Sequence, residues 1–230
     1  MKYVNKIVEA TFIKRPNRFN AHVIVDNQEI VVHVPNTGRC GELLVEGTKV
    51  FLREENNPTR KTKYDLVAVI KEGKFISMDS QIPNKVVFEA LQNNKISKLT
   101  EYTEILKEKT FGKSRFDFKL KNSEGKEYFL EVKGVTLEYE RYAKFPDAKT
   151  ERGARHIMEL IEAKEQGYGA GILFLIQMEE VDIFSPNDER DEAFGIALRK
   201  AQKAGVDIFV YNCLCDKEGI ELNNPIELKL

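Results

Sequence analysis

Seven consecutive residues, Ala170–Ile176, carry no polar side chain, and a helical pattern lies on each side of them. Such a run fits a strand covered on both faces, the situation of a parallel strand between layers of helix. The upstream helix is predicted over Thr150–Gln166 with Thr150 as its cap, and the downstream helix over Asp188–Ala204, ending at Gly205. Val206–Tyr211 is a second buried strand, and Pro83–Gln92 a further helix with Pro83 in its first turn. From about residue 80 onward the pattern predicts an α/β domain with a mixed sheet.

The preceding residues read differently. Ile7–Ile13, Phe19–Val25, Glu29–Val34, Lys49–Glu54 and Tyr64–Ile70 are short runs rich in Val, Ile, Phe and Tyr, broken by Asn, Gly, Pro and Asp. Asp26-Asn27 suits a tight turn between two of them. Five short strands without a helix predict a small barrel of the OB type. The expectation is an α+β chain of two domains: an OB-like β-barrel over residues 1–80 and an α/β domain over 81–230.

Composition narrows the alternatives. With 42% hydrophobic residues in 230, there is enough apolar material for two cores. Gln166–Met178 is the longest uncharged stretch near the middle, and its thirteen residues fall short of the ~20 that span a bilayer. The first fifteen residues scatter charges and hold no apolar stretch of a signal peptide. Three cysteines are too few for a disulfide framework and fit a reducing cytoplasm. Cys213-Leu-Cys215 lacks a second pair and a nearby histidine, which argues against a zinc site. A net charge of −1 gives a nucleic-acid partner no bulk support. Local support comes from six Lys/Arg between Ile105 and Lys121, and from Arg60, Lys61 and Lys63.

The segment from Ser114 to Lys133 carries the chemistry. Asn122-Ser-Glu-Gly-Lys126 suits a three-residue hairpin loop with Gly125 left-handed. That register places Asn122 opposite Lys126 and Asp117 opposite Glu131. Side chains alternate along a strand, so Phe116, Phe118, Leu120, Leu130 and Val132 are predicted on one face. Arg115, Asp117, Lys119, Glu131 and Lys133 are predicted on the other. Two opposed carboxylates repel unless something neutralises them. A hard divalent cation does so, and Mg²⁺ takes one or two carboxylates together with water and phosphate. Lys133, next on that face, is placed to orient an attacking water, as metal-assisted phosphodiester hydrolysis requires. The competing reading is a solvated hairpin edge in which Arg115 and Lys133 pair the acids.

Other motifs fail or read as structure. Gly112-Lys113-Ser114 lacks the earlier glycine of a P-loop, and Gly167, Gly169 and Gly171 precede a strand instead of following one. On the helix after Thr150, Ala154, Ile157, Met158 and Ile161 form the predicted buried stripe. Arg152, Arg155, His156 and Glu159 lie away from it, and two arginines with a histidine are suited to phosphate. Pro146-Asp147 reads as a turn before that helix.

A helix, a hairpin bearing Asp and Glu-x-Lys, then a helix and a buried strand resembles the PD-(D/E)xK nuclease superfamily. Four stretches spread over the chain resemble the sugar fermentation stimulation protein A family more closely. They are His33-Val-Pro-Asn-Thr-Gly38, Ser114-Arg-Phe-Asp-Phe118, Glu131-Val-Lys-Gly-Val-Thr-Leu137 and Phe145-Pro-Asp-Ala-Lys-Thr-Glu-Arg-Gly153. The resemblance implies an OB-like domain, a nuclease-like domain, DNA as the partner and a link to maltose metabolism. Carried over, Asp117 and Glu131 match metal carboxylates, Lys133 the catalytic lysine, and Glu89 the glutamate of the preceding helix. Asp117 follows Phe116 where the superfamily often has proline. The expectation is a Mg²⁺- or Mn²⁺-dependent site of Asp117, Glu131 and Lys133, with Glu89 as third metal ligand. Arg39, Arg115, Arg152, Arg155 and His156 are the expected DNA contacts. No membrane partner is expected, and a homodimer is left open. Two rivals stand beside it: a DNA-binding regulator that does not use the site, and an enzyme of sugar metabolism.

Overall fold

The computed structural model describes residues 1–230. Its first unit runs β1 (Ile7–Lys14), β2 (Asn20–Val25), β3 (Gln28–His33), β4 (Lys49–Glu54), β5 (Tyr64–Lys71) and β6 (Lys74–Ser77). The strands pair in the order β3-β2-β1-β4-β5-β6, and an added β3–β5 pairing closes the first five into the expected barrel. Closure is a single parallel bridge, His33 to Asp65, backed by a 2.8 Å bond between His33 Nδ1 and Asp65 Oδ1. Ala10 and Phe12, Ala21 and Val23, and Val50 and Leu52 point inward in alternation and fill the barrel. Asp26 and Asn27 both have positive φ (49° and 63°), the conformation of a hairpin turn matched to strand twist.

The second unit runs α1 (Ile82–Gln92), β7 (Tyr102–Phe111), β8 (Ser114–Asn122), β9 (Glu127–Val135), β10 (Glu138–Tyr139), β11 (Tyr142–Phe145), α2 (Glu151–Glu165), β12 (Gly169–Ile176), β13 (Ile183–Pro186), α3 (Asp188–Lys203), β14 (Asp207–Cys215), β15 (Ile220–Pro225) and β16 (Glu227–Leu228). Its main sheet has the order β15-β14-β12-β9-β8-β7 and is mixed. β9, β12 and β14 are parallel, while β7, β8 and β15 are antiparallel to their neighbours. β10, β11, β13 and β16 form a small second sheet.

Helices cover the main sheet on both sides. Val86, Val87, Ala90 and Leu91 of α1 pack on Phe118, Leu130, Val132 and Leu173. Ile157, Leu160 and Ala163 of α2, with Phe194 and Leu198 of α3, pack on Phe129, Ile172 and Phe174. That second layer is continuous with the barrel interior, so the two units share one core. Ser77 and Gln177 fasten the seam: the Ser77 N–H donates to the Gln177 carbonyl (3.0 Å), and Gln177 Nε2 donates to the Ser77 carbonyl (2.9 Å).

Several expectations need correction. Both faces of β9 are buried, not one. Phe116 leaves its predicted partners and packs on the α2 side against Phe111, Phe129 and His156. The stripe on α2 is rotated: Met158 is 46% exposed, while His156 and Glu159 are buried. The reason lies beneath the helix, where a carboxylate of β9 needs a polar partner. β7, β6 and the small sheet have no counterpart in the sequence reading.

Candidate active site

The β8–β9 ladder builds the site. Its pairs Phe118–Leu130, Lys119–Phe129, Leu120–Tyr128 and Lys121–Glu127 have the register deduced from the turn. Gly125 is left-handed (φ 79°), and Asn122 Oδ1 accepts from the N–H groups of Glu124 and Lys126. Pairing stops at Phe118, one residue short of Asp117. There the Asp117 side chain takes over from the backbone: Oδ2 accepts from the Val132 N–H (2.8 Å) and Oδ1 from Asn84 Nδ2 of α1 (2.7 Å).

Glu131 follows on the α2 side of the sheet and is only 3% exposed. Its Oε1 accepts from His156 Nδ1 (2.7 Å) and from Lys133 Nζ (2.5 Å). His156 Nε2 in turn accepts from Arg152 Nε (3.3 Å). Glu131 Oε2 is buried and has no hydrogen-bond partner. Burial pushes the Asp117 carboxyl up and the nearby Glu131 charge adds to it, so Asp117 sits above its usual range. Burial also pushes Glu131 up, but the His156 bond and the Lys133 ammonium outweigh it and hold Glu131 below its usual range. The two acids are thus held differently, one beside a cation and a donor, the other by an amide pair alone.

The unpartnered Oε2 tests whether a cation fits. A buried carboxylate oxygen without a donor is costly, and a metal ion is the partner that uses it. No cluster of three or more His, Cys, Asp or Glu with metal-holding geometry is present. Two carboxylates are enough for Mg²⁺, which keeps several waters. The residues therefore fit a hard divalent ion with an incomplete protein shell.

The expected site residues fall into two groups. Asp117, Glu131 and Lys133 are brought together. Glu89 is not: it pairs with the amino group of Met1 (2.9 Å). It follows Asn84 by five positions, which turns it about 140° around α1, away from Asp117. His156 is 2% exposed and bonded to Glu131, so it is corrected from a DNA contact to a support of the acid pair. Arg39, Arg152 and Arg155 are exposed, and Arg115 is exposed beside Glu108 at 3.6 Å. Asn84 was missed because an amide at the start of a helix carries no sequence signal of its own.

A closed OB barrel followed by a mixed-sheet α/β domain with an acid pair beside a lysine defines the class of protein. Residues 13–78 match the SfsA N-terminal OB domain, and residues 81–219 the sugar fermentation stimulation protein RE domain. The chain belongs to the sugar fermentation stimulation protein family. It is 62% identical to a homologue from Clostridium tetani over 224 residues, 97% of each chain. A homologue from Clostridium acetobutylicum is 57% identical over 230 residues, all of both chains. The solved structure of Pyrococcus furiosus SfsA in complex with Ca²⁺ superposes with a TM-score of 0.90 at 27% identity, covering all of both chains. No helix of the chain is long and apolar enough to cross a membrane.

Proposed function

We propose that the chain binds DNA and hydrolyses its phosphodiester bonds with a divalent cation held by Asp117 and Glu131. The observation that carries this reading is the buried, unpartnered Glu131 Oε2 next to a second recessed carboxylate and an ammonium group. The Pyrococcus furiosus relative in complex with Ca²⁺ supports a hard cation in this fold. Mg²⁺ or Mn²⁺ is the working ion, and when bound it supplies Lewis acidity and neutralises phosphate charge.

The chain's own residues do the rest. Asn84 and the Val132 N–H fix Asp117, and His156 fixes Glu131. Lys133 spends one N–H on Glu131; its others are free for the attacking water or a phosphate oxygen. The water oxygen bonds to phosphorus and gives up a proton; the phosphorus–ester oxygen bond breaks, and that oxygen leaves protonated. Arg39, Arg115, Arg152 and Arg155 serve as phosphate contacts that place the backbone.

The test is incubation of the purified protein with supercoiled plasmid and with single-stranded DNA, in Mg²⁺ or Mn²⁺ and then in chelator. Cleavage is expected only with metal. Asp117→Asn is expected to reduce it about 10³-fold, equivalent to about 4 kcal/mol, and Lys133→Ala to impair it strongly. Cleavage that survives both substitutions has another source. Binding without cleavage assigns the chain to a regulatory role instead.

A further inference from the structure

Two hollows lie on the seam between the barrel and the α/β unit. The smaller, about 320 Å³, is lined by Pro83, Gly134, Thr136, Asn36, Asp147 and Thr150 among others. Gly134 follows Lys133 on β9, Pro83 precedes Asn84 on α1, and Thr150 caps the helix that carries His156. The same three elements therefore frame this hollow and the acid pair. The larger, about 820 Å³, opens on the barrel side and shares Thr37, Gly38, Ala148 and Lys149 with the first. At the shared Gly38 a side chain would come within 3.0 Å of Asn36 Oδ1 and Asp147 Oδ2.

The larger hollow is cationic, with Glu46 as its one acidic lining residue, in a chain whose net charge is −1. Lys14, Arg18, Arg39 and Lys149 line it, and none has a carboxylate within 4.0 Å. Some exposed cations elsewhere are paired, as in Lys63–Glu54, Arg141–Asp182 and Arg199–Asp188. Arg15 adds a further charge beneath the loop. Its guanidinium donates to the carbonyls of Arg18, Asn36, Gly38 and Arg39, and so holds the hollow's rim in place without being neutralised. Beside Arg18, Phe19 is 57% exposed, while its backbone is fixed by Asn17 Oδ1 and by the Val34 N–H. The barrel gains little from an exposed phenyl ring at this place.

Unpaired cations beside an exposed aromatic are what a single strand of nucleic acid uses: phosphates track the charge and a base stacks on the ring. A duplex hides its base faces and has no use for the ring. We propose that the barrel hollow and the seam hollow together hold single-stranded DNA. A base stacks on Phe19, phosphates lie on Lys14, Arg18, Arg39 and Lys149, and the strand passes the shared residues at Gly38 toward the acid pair. The path is short in the fold, since Gly134 of the seam hollow adjoins Lys133 and Pro83 adjoins Asn84, the partner of Asp117. The inference rests on the proposed phosphodiesterase reading and names its substrate as a single strand in preference to a duplex.

The test is fluorescence anisotropy with a labelled 20-nucleotide oligodeoxynucleotide, alone and annealed to its complement, in EDTA so that nothing is cut. The single strand is expected to bind at least tenfold tighter. Phe19→Ala is expected to weaken single-strand binding about tenfold and to leave duplex binding unchanged. Lys14→Ala and Arg39→Ala are each expected to lower the slope of log affinity against log salt by about 0.7. All three positions are on the surface, and unchanged circular dichroism and Tm confirm that the variants fold. Equal or tighter duplex binding overturns the proposal, as does single-strand binding indifferent to Phe19. These outcomes are independent of cleavage. Plasmid cutting without single-strand preference removes this inference alone, and single-strand binding without any cutting removes the hydrolytic reading alone.

Discussion

His156 Nδ1 donates to Glu131 Oε1 across 2.7 Å, with both side chains buried, and this bond ties α2 to the sheet beneath the acid pair. A histidine that holds a metal-binding carboxylate from behind sets its orientation and basicity. His156→Ala is expected to weaken divalent-ion affinity about 10–100-fold, with His156→Asn recovering part of it by restoring a donor. Calorimetric titration with Mn²⁺ reads this directly. Unchanged affinity in His156→Ala contradicts the positioning role.

If Asp117 and Glu131 hold a cation in the folded state only, the cation stabilises the fold by mass action. At a hundredfold excess over Kd the gain is about 2.7 kcal/mol, or a rise in Tm of about 5–10 °C for a chain of this length. Ca²⁺ is expected to produce it in the native chain and not in the Asp117→Asn, Glu131→Gln double variant. Differential scanning calorimetry with and without EDTA is the measurement.

Asp65 makes the barrel sensitive to acid. Burial pushes its carboxyl up, but bonds from the Arg60 guanidinium and from His33 pull it below the usual carboxylate range. Its contribution to stability is therefore complete above the unfolded value of 3.8 and is lost as pH falls through the lower folded value. Asp65→Asn is expected to cost about 1–3 kcal/mol at pH 7. The difference from the native chain should shrink below pH 4 in urea melts.

Phe174 on β12 packs among Phe145, Phe184 and Phe194, and so joins the main sheet to the small sheet and α3. Phe174→Ala is expected to cost about 3–5 kcal/mol through the cavity it leaves. A urea titration followed by circular dichroism checks this. A loss under 1 kcal/mol shows that the layers collapse into the space.

What the sequence revealed follows from how local each signal is. The Asn122–Lys126 turn contains its own hydrogen bonds, so the β8–β9 register from Lys121–Glu127 to Phe118–Leu130 was readable from five residues. Thr150 accepts from the Gly153 N–H at the start of α2, and Gly205 turns left-handed after α3, both as expected from capping chemistry. β7 was missed because it is an edge strand whose side chains are mostly exposed, and its Lys and Glu residues read as a charge cluster. His156 was misplaced because its burial depends on a carboxylate 25 residues earlier, a partnership that no helical periodicity reports. Glu89 was misplaced for a similar reason: an exposed position on α1 does not say which neighbour it faces, and here that neighbour is Met1.

The most direct measurement is an anomalous difference map from crystals soaked in Mn²⁺. The account predicts a peak within ligand distance of both Asp117 and Glu131, with Glu131 Oε2 among the ligating atoms. No peak there under saturating Mn²⁺, or a peak served by neither carboxylate, contradicts it.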